Sequence, residues 1–168
     1  MTVNRDQFNH VVQEHGPKIY RLCKAYFGAD EELDDVYQET LINIWKSMSS
    51  FRGDSKLSTW IYRITVNTAI TFRRKKSKQP YGNDEFLEHL EYDSSESILK
   101  REREQQYQLL LKTIEQLKPD HRLIIGLYLE DLSYKEIAEV IGKDTNYVGV
   151  NITRIKDKLS KLMQHGRA

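Results

Sequence analysis

The chain has 168 residues, 39% of them hydrophobic and 30% charged, with a formal net charge of +1; this size holds one ordinary domain or two small ones with a modest core. With 8 Gly, 3 Pro and no alternating run of Val, Ile or Thr, the composition excludes a sheet fold and predicts an all-α protein. No apolar stretch approaches the roughly 20 residues of a bilayer span, and Met1-Thr2-Val3-Asn4-Arg5-Asp6 has no apolar signal core, so a cytoplasmic protein is expected.

The near-neutral total conceals segregation. Residues 1–78 carry 13 Lys/Arg against 9 Asp/Glu, residues 79–106 carry 3 against 8, and residues 107–168 carry 10 against 8. Two mildly basic blocks flank an acidic one. The division expected from this pattern is an N-terminal module over 1–78, a linker over 79–106 and a C-terminal module over 107–168.

Phe8, Val11, Val12, Ile19, Leu22, Cys23 and Tyr26 recur at helical spacing and mark a first amphipathic helix. Gly16-Pro17 interrupts this pattern and is expected to kink the helix or split it. Cys23, the only cysteine, lies on the apolar stripe, which leaves a core role or a redox sensor open. Asp30 is the expected N-cap of a second helix.

That second helix has the cleanest stripe: Leu33, Val36, Tyr37, Thr40, Leu41, Ile44, Trp45 and Met48. Its other face carries Asp34, Asp35, Gln38, Glu39, Ile42 and Asn43, and an apolar Ile42 ringed by polar groups suggests a docking surface. The loop Phe51-Arg52-Gly53-Asp54-Ser55-Lys56 follows. Ser58 is the expected cap of a third helix, with Trp60, Ile61, Ile64, Thr68 and Phe72 on its apolar face. Arg73-Arg74-Lys75-Lys76 closes it, either as cations at a helix C-terminus or as a phosphate-facing patch.

From Ser77 to about Lys100 the periodicity fades, and Pro80, Gly82, Asn83, Asp84, Ser94 and Ser95 read as linker, with a short helical piece around Phe86, Leu87 and Leu90. It resumes at Tyr107, Leu110, Leu111, Ile114 and Leu117. Pro119 suits the first position of another helix, carrying Leu123, Ile124, Leu127 and Tyr128. Ser133-Tyr134-Lys135-Glu136 spells a capping box. Ile137, Ala138 and Ile141 then face inward, Gly142 ends the short helix, and Val148, Ile152, Ile155, Leu159 and Leu162 line a longer one. Together these make a helix-turn-helix.

On the last helix Asn146, Val150, Thr153 and Arg154 oppose the core stripe, flanked by Gly149 and Asn151. Asn pairs bidentately with adenine, Arg with guanine or phosphate, and Val or Thr touches a thymine methyl; a solvated helix face is the plain alternative. His10, His15, His89, His121 and His165 show no paired metal-ligand spacing. Neither a glycine-rich phosphate loop nor a nucleophile elbow is present. No catalytic residue, metal, cofactor or small-molecule substrate is assigned, and the expectation is not an enzyme.

These segments resemble the extracytoplasmic-function class of bacterial sigma factors over nearly the whole chain. The anchors are Asp35-Val36-Tyr37-Gln38-Glu39-Thr40 with Trp45; Phe51-Arg52-Gly53-Asp54-Ser55; Thr59-Trp60-Ile61-Tyr62-Arg63-Ile64 with Asn67; Leu117-Lys118-Pro119 with Arg122; and Leu132-Ser133-Tyr134-Lys135-Glu136-Ile137-Ala138. The resemblance implies two small helical modules, sigma region 2 and a sigma region 4 helix-turn-helix. It implies that Asp34, Asp35, Gln38, Glu39, Ile42 and Asn43 dock on the clamp helices of core RNA polymerase. Arg52, Gly53, Asp54, Ser55, Lys56, Ser58, Trp60, Arg63 and Asn67 would meet the melted minus-ten element, with Arg73, Arg74, Lys75 and Lys76 on nearby phosphates. Ser133, Tyr134, Asn146, Gly149, Val150, Asn151, Thr153 and Arg154 would meet the minus-thirty-five element, and this module would lean on the polymerase flap. Where many members carry Lys, Ser and Arg in succession this chain has Gly149, Val150 and Asn151, so weak binding by the isolated module is expected.

The resemblance also implies an anti-sigma factor, often membrane-bound. The acidic linker would either pass basic polymerase channels or act as a solvated tether. Two other functions remain compatible with the sequence: a stand-alone helix-turn-helix regulator, and a sigma-like protein that binds polymerase without initiating.

Overall fold

A computed structural model describes residues 5–27, 32–76 and 98–165, with no strand among them. The helices are α1 (Arg5–Phe27), α2 (Leu33–Ser47), α3 (Leu57–Lys76), α4 (Ile98–Glu115), α5 (Pro119–Leu129), α6 (Tyr134–Ile141) and α7 (Thr145–His165), with a single 3-10 turn at Met48–Ser50. The fold is all-α. The short helical piece expected around Phe86, Leu87 and Leu90 falls outside the described residues.

Helices α1, α2 and α3 pack on one another, as do α4, α5, α6 and α7, and the two groups meet where α5 lies on α1 and α6 on α3. Val11, Ile19, Leu22, Cys23, Val36, Ile44, Ile61 and Val66 from the first group and Leu123, Leu127, Ile137, Val148, Ile152 and Ile155 from the second belong to one continuous hydrophobic core. Burying side chains of this size stabilises a fold by about 1.5–3 kcal/mol each.

The Gly16-Pro17 pair does not split the first helix. Helix α1 runs unbroken through Pro17, although proline supplies no amide for its i−4 carbonyl. Gly16 has a packing role instead: a Cβ there would lie 3.1 Å from the Tyr37 hydroxyl of α2. Asp30 lies outside the described residues, and the position before α2 is Glu32, whose side chain makes no capping bond. Ser58 is not a cap either. Helix α3 begins at Leu57, and Trp60 N–H donates to the Lys56 carbonyl at 3.1 Å. Farther on, α4 starts at Ile98, so residues 98–106 of the expected linker are helical.

The buried stripe of α3 is also turned from its expected position. Thr59, Ile61, Tyr62, Thr65, Val66, Thr68 and Ala69 are buried, whereas Trp60, Ile64 and Phe72 are only partly so. Threonine reaches a helix interior by satisfying its own hydroxyl one turn back. Thr65 donates to the Ile61 carbonyl at 3.0 Å and Thr40 to Val36 at 2.8 Å.

Cys23 is fully buried, and burial pushes its thiol up to about 11. Only thiolates react at useful rates, so the core reading of this residue stands. Under native conditions Cys23 is expected to resist a thiol-disulfide reagent at pH 8 for hours and to react within minutes once the protein is denatured. Absorbance of the released chromophore would show this.

Candidate nucleic-acid interface

The helix-turn-helix is built as its local sequence dictates. Ser133 Oγ accepts from Glu136 N–H at 3.3 Å, and Ser133 N–H donates to Glu136 Oε2 at 2.9 Å, a complete capping box. Gly142 ends α6 in the left-handed region at φ 66°, where a residue without Cβ is unstrained. Within α6 Ile137, Ala138 and Val140 are the buried positions, while the expected Ile141 is half-buried. Asp144 Oδ1 accepts from Tyr147 N–H at 2.7 Å and so caps α7. That cap was readable in the sequence as Asp144 three residues before Tyr147.

Helix α7 presents Asn146, Val150, Thr153 and Arg154 to solvent, with Val150 40% exposed. Thr153 Oγ1 donates back to the Gly149 carbonyl at 3.0 Å. Asn151 faces the other way. It is buried, and its amide donates to the Tyr147 carbonyl at 2.8 Å. Gly149 lies under the Tyr134 ring, where a Cβ would stand 3.6 Å from the nearest ring carbon. That is ordinary contact, so Gly149→Ala is expected to stabilise the chain by about 0.5–1 kcal/mol through helix propensity. A rise in thermal midpoint would show it.

In the other module Asp34, Asp35, Gln38 and Ile42 are exposed on α2, Ile42 by 45%. Trp45 is 37% exposed and meets Phe8 edge-on, with centroids 5.0 Å apart. Glu39 and Asn43 turn toward α3. They line an open cleft of about 620 Å³ with Ile64, Asn67, Thr68 and Lys75, and Asn43 donates to Thr68 Oγ1 at 3.1 Å. The cleft joins the two groups of residues that the sequence treated as separate polymerase and minus-ten sites.

The loop before α3 holds Arg52, Gly53 and Asp54 exposed, with Gly53 at φ 79°. Phe51 and Trp60 pack beneath it with centroids 5.2 Å apart. Arg73 donates to the Tyr26 carbonyl at 3.2 Å and lies over the Tyr26 ring at 5.3 Å, so it serves the C-terminus of α1. Arg74 and Lys75 are exposed, and the side chain of Lys76 falls outside the described residues.

Two cations of this surface are paired across the modules. Lys56 Nζ donates to Glu136 Oε1 at 2.7 Å, and Arg63 Nη2 to Glu139 Oε1 at 2.8 Å. Arg21 adds a bidentate pair with Glu130, the second bond at 2.9 Å. Arg122 donates to the Tyr26 carbonyl at 2.8 Å. No sequence signal couples these positions, which lie 76 to 109 residues apart.

The Lys56 ammonium, and then the Ser133 amide and hydroxyl, hold the Glu136 carboxyl down to about 2. A lowered carboxyl contributes stability in full above the ordinary carboxylate range, and that contribution disappears as pH falls from there toward 2. His15, buried beside Tyr62, has its imidazole lowered by burial. It therefore adds no positive charge to this surface at neutral pH. Among the described residues no group of three His, Cys, Asp or Glu is placed to hold a metal. No described helix is long and apolar enough to cross a membrane.

A helical module with an exposed acidic and amide face, joined to a helix-turn-helix with a free reading face, defines a DNA-directed protein of two parts. Sigma-70 region 2 matches residues 11–79, and Sigma-70 region 4 matches residues 107–159. The ECF RNA polymerase sigma-E factor of Escherichia coli K12 is 31% identical over 166 residues, covering 94% of this chain and 86% of that protein. The Haemophilus influenzae sigma-E factor is 31% identical, covering 96% and 89%. Among solved structures, the sigma factor RpoE of Bartonella quintana in complex with the anti-sigma factor NepR has the same fold. Its TM-score is 0.76 at 19% identity, over 94% of this chain and 97% of that one. CnrH in complex with the cytosolic domain of CnrY gives 0.66 at 21% identity, over 97% and 91%. The chain belongs to the extracytoplasmic-function sigma factors of RNA polymerase.

Proposed function

We propose that this sigma factor docks on core RNA polymerase through the outward face of α2, opens the minus-ten element with the Arg52–Asn67 segment and reads the minus-thirty-five element with α7. The observation that carries this reading is the exposed Ile42 among Asp34, Asp35 and Gln38. A stand-alone regulator has no use for that surface, whereas a basic partner surface complements it. Glu39 and Asn43 act at its edge, where the cleft beside Asn67 brings docking and melting together.

At the minus-ten element an unstacked base needs stacking and edge hydrogen bonds. Arg52, Gly53, Asp54, Ser55, Lys56, Ser58, Trp60, Arg63 and Asn67 supply this chemistry, and Arg74, Lys75 and Lys76 meet phosphates. Arg73 contributes by holding the end of α1. On α7, Asn146, Val150, Thr153 and Arg154 reach base edges, while Gly149 and the inward Asn151 shape the helix. Ser133 and Tyr134 stand at the start of α6, where backbone phosphates approach.

The division into modules at 1–78 and 107–168, with 79–106 as tether, follows the charge pattern. The protein performs no catalytic step of its own and works in the cytoplasm on the nucleoid. An anti-sigma factor restrains it, membrane-bound as the resemblance implies for many members; the anti-sigma factor NepR bound to a structural neighbour supports such a partner. Run-off transcription tests the whole reading. Core polymerase plus this chain is expected to yield a promoter-specific product, and polymerase binding without any product would make the chain a sigma-like antagonist instead.

A further inference from the structure

We propose that the cavity between α3, α5 and the α6–α7 turn is a binding site for a nucleoside polyphosphate. Its apolar floor takes the base, Asp120 takes a sugar hydroxyl or base amino group, and Arg73, Arg74 and Lys143 take the phosphates. The site is additional to the polymerase and promoter surfaces, sharing Arg73 and Arg74 with the minus-ten group and nothing with the other two.

The cavity measures about 480 Å³, within the roughly 300–1,000 Å³ usual for small-ligand sites. Val66 of α3 and Leu123 and Ile124 of α5 form its floor and are almost fully buried. Half-buried Ile70 and Ile141 add to the walls. Such a lining suits a flat, weakly hydrated group better than a bare ion. Tyr147, 40% exposed at the same cavity, adds an aromatic surface for stacking.

The polar lining has a dominant sign. Arg73 and Arg74 come from the C-terminal end of α3 and Lys143 from the turn before α7, and the only carboxylate they meet there is Asp120. A concave surface of this kind over low-dielectric walls concentrates its field on an anion. Behind it, Arg73 and Arg122 both donate to the Tyr26 carbonyl, at 3.2 and 2.8 Å. Burial, and then Arg73, pushes the Arg122 guanidinium down. Positive charge is therefore crowded at this end of α1, and a bound phosphate relieves it. Each guanidinium has five donors, so the bond from Arg73 to Tyr26 leaves it able to hold a phosphate oxygen as well.

Asp120 sets the class of ligand. A plain polyanion meets a repelling carboxylate there. A nucleotide brings hydroxyl and amino donors at one end, which a carboxylate accepts, and phosphates at the other.

Calorimetric titration of the full chain with ATP in magnesium-free buffer tests this. Physiological salt is used, because it screens exposed charges beyond about 8 Å. One-to-one binding in the micromolar range is expected, about tenfold or more tighter than adenosine or tripolyphosphate, since only the nucleotide fills both halves of the site. Lys143→Glu reverses an exposed cation, and Ile141→Trp fills the cavity while leaving every cation in place. Each is expected to weaken ATP binding about tenfold or more, through a lost charge-assisted contact in the first and lost space in the second. Thermal midpoints confirm that each variant folds; should Ile141→Trp not fold, Lys143→Glu decides alone. Wild-type binding weaker than millimolar would overturn the proposal. So would unchanged ATP affinity in either folded variant. Tripolyphosphate or a single-stranded oligothymidylate displacing ATP as well as ATP itself does would also overturn it, revealing a patch for phosphate backbones instead.

Discussion

Replacing Ile42 with Asp is expected to lower the affinity for core polymerase by about ten- to a hundredfold, since burying an apolar side chain of this size is worth about 1.5–3 kcal/mol and each 1.4 kcal/mol is tenfold. The residue makes no contribution to the core. It stands 45% exposed among Asp34, Asp35 and Gln38, while the fully buried Ile44 two positions on faces the opposite way. Substitution at such a position leaves stability within about 0.5 kcal/mol. A drop in polymerase affinity with an unchanged unfolding midpoint therefore separates docking from folding. Affinity equal to wild type would remove α2 from the polymerase interface.

Arg154→Ala carries the second large effect. Arg154 is exposed on the free face of α7, one turn beyond Val150, where a guanidinium can take both acceptors of a guanine. A bidentate base contact is worth about 1–3 kcal/mol of discrimination. Initiation by polymerase carrying the variant is expected to fall five- to a hundredfold on its best promoter, while promoters altered at one base pair of the minus-thirty-five element lose little further. A uniform loss across all promoter sequences would mean that Arg154 holds a phosphate instead.

Much of the architecture was legible because several helices carry strong local signals. Helix α2 shows an uninterrupted stripe, α5 has proline at its first position, and α6 spells its capping box in four residues. The failures have physical causes. Gly16 and Pro17 read as punctuation, yet the helix continues through both, and a Cβ on Gly16 would stand 3.1 Å from the Tyr37 hydroxyl of α2, a close approach that glycine eases. In α3, Thr59, Tyr62 and Thr65 were left off the inferred stripe although all three are buried, because a helical threonine satisfies its own hydroxyl. Helix α4 was missed over its N-terminal half because Glu102 to Gln108 are all exposed and carry no apolar stripe.

The candidate surfaces divide in the same way. Exposed α7 residues followed from the helical period, since every position opposite Val148, Ile152 and Ile155 faces out. Asn151 was misplaced because it sits on the edge of that stripe, and the Tyr147 carbonyl draws its amide inward. The pairing of Lys56 and Arg63 with α6 was invisible. Long-range partners depend on how α5 meets α1, and no local pattern encodes that.

The central claim is that this chain's outward faces acquire their function on polymerase. Promoter binding by the purified protein, measured by gel shift with and without core enzyme at physiological salt, tests it most directly. The account predicts a promoter-specific complex only when core enzyme is present, carrying both proteins. Nanomolar, sequence-specific binding by the chain alone, unchanged by added polymerase, would contradict it and leave a self-sufficient helix-turn-helix regulator.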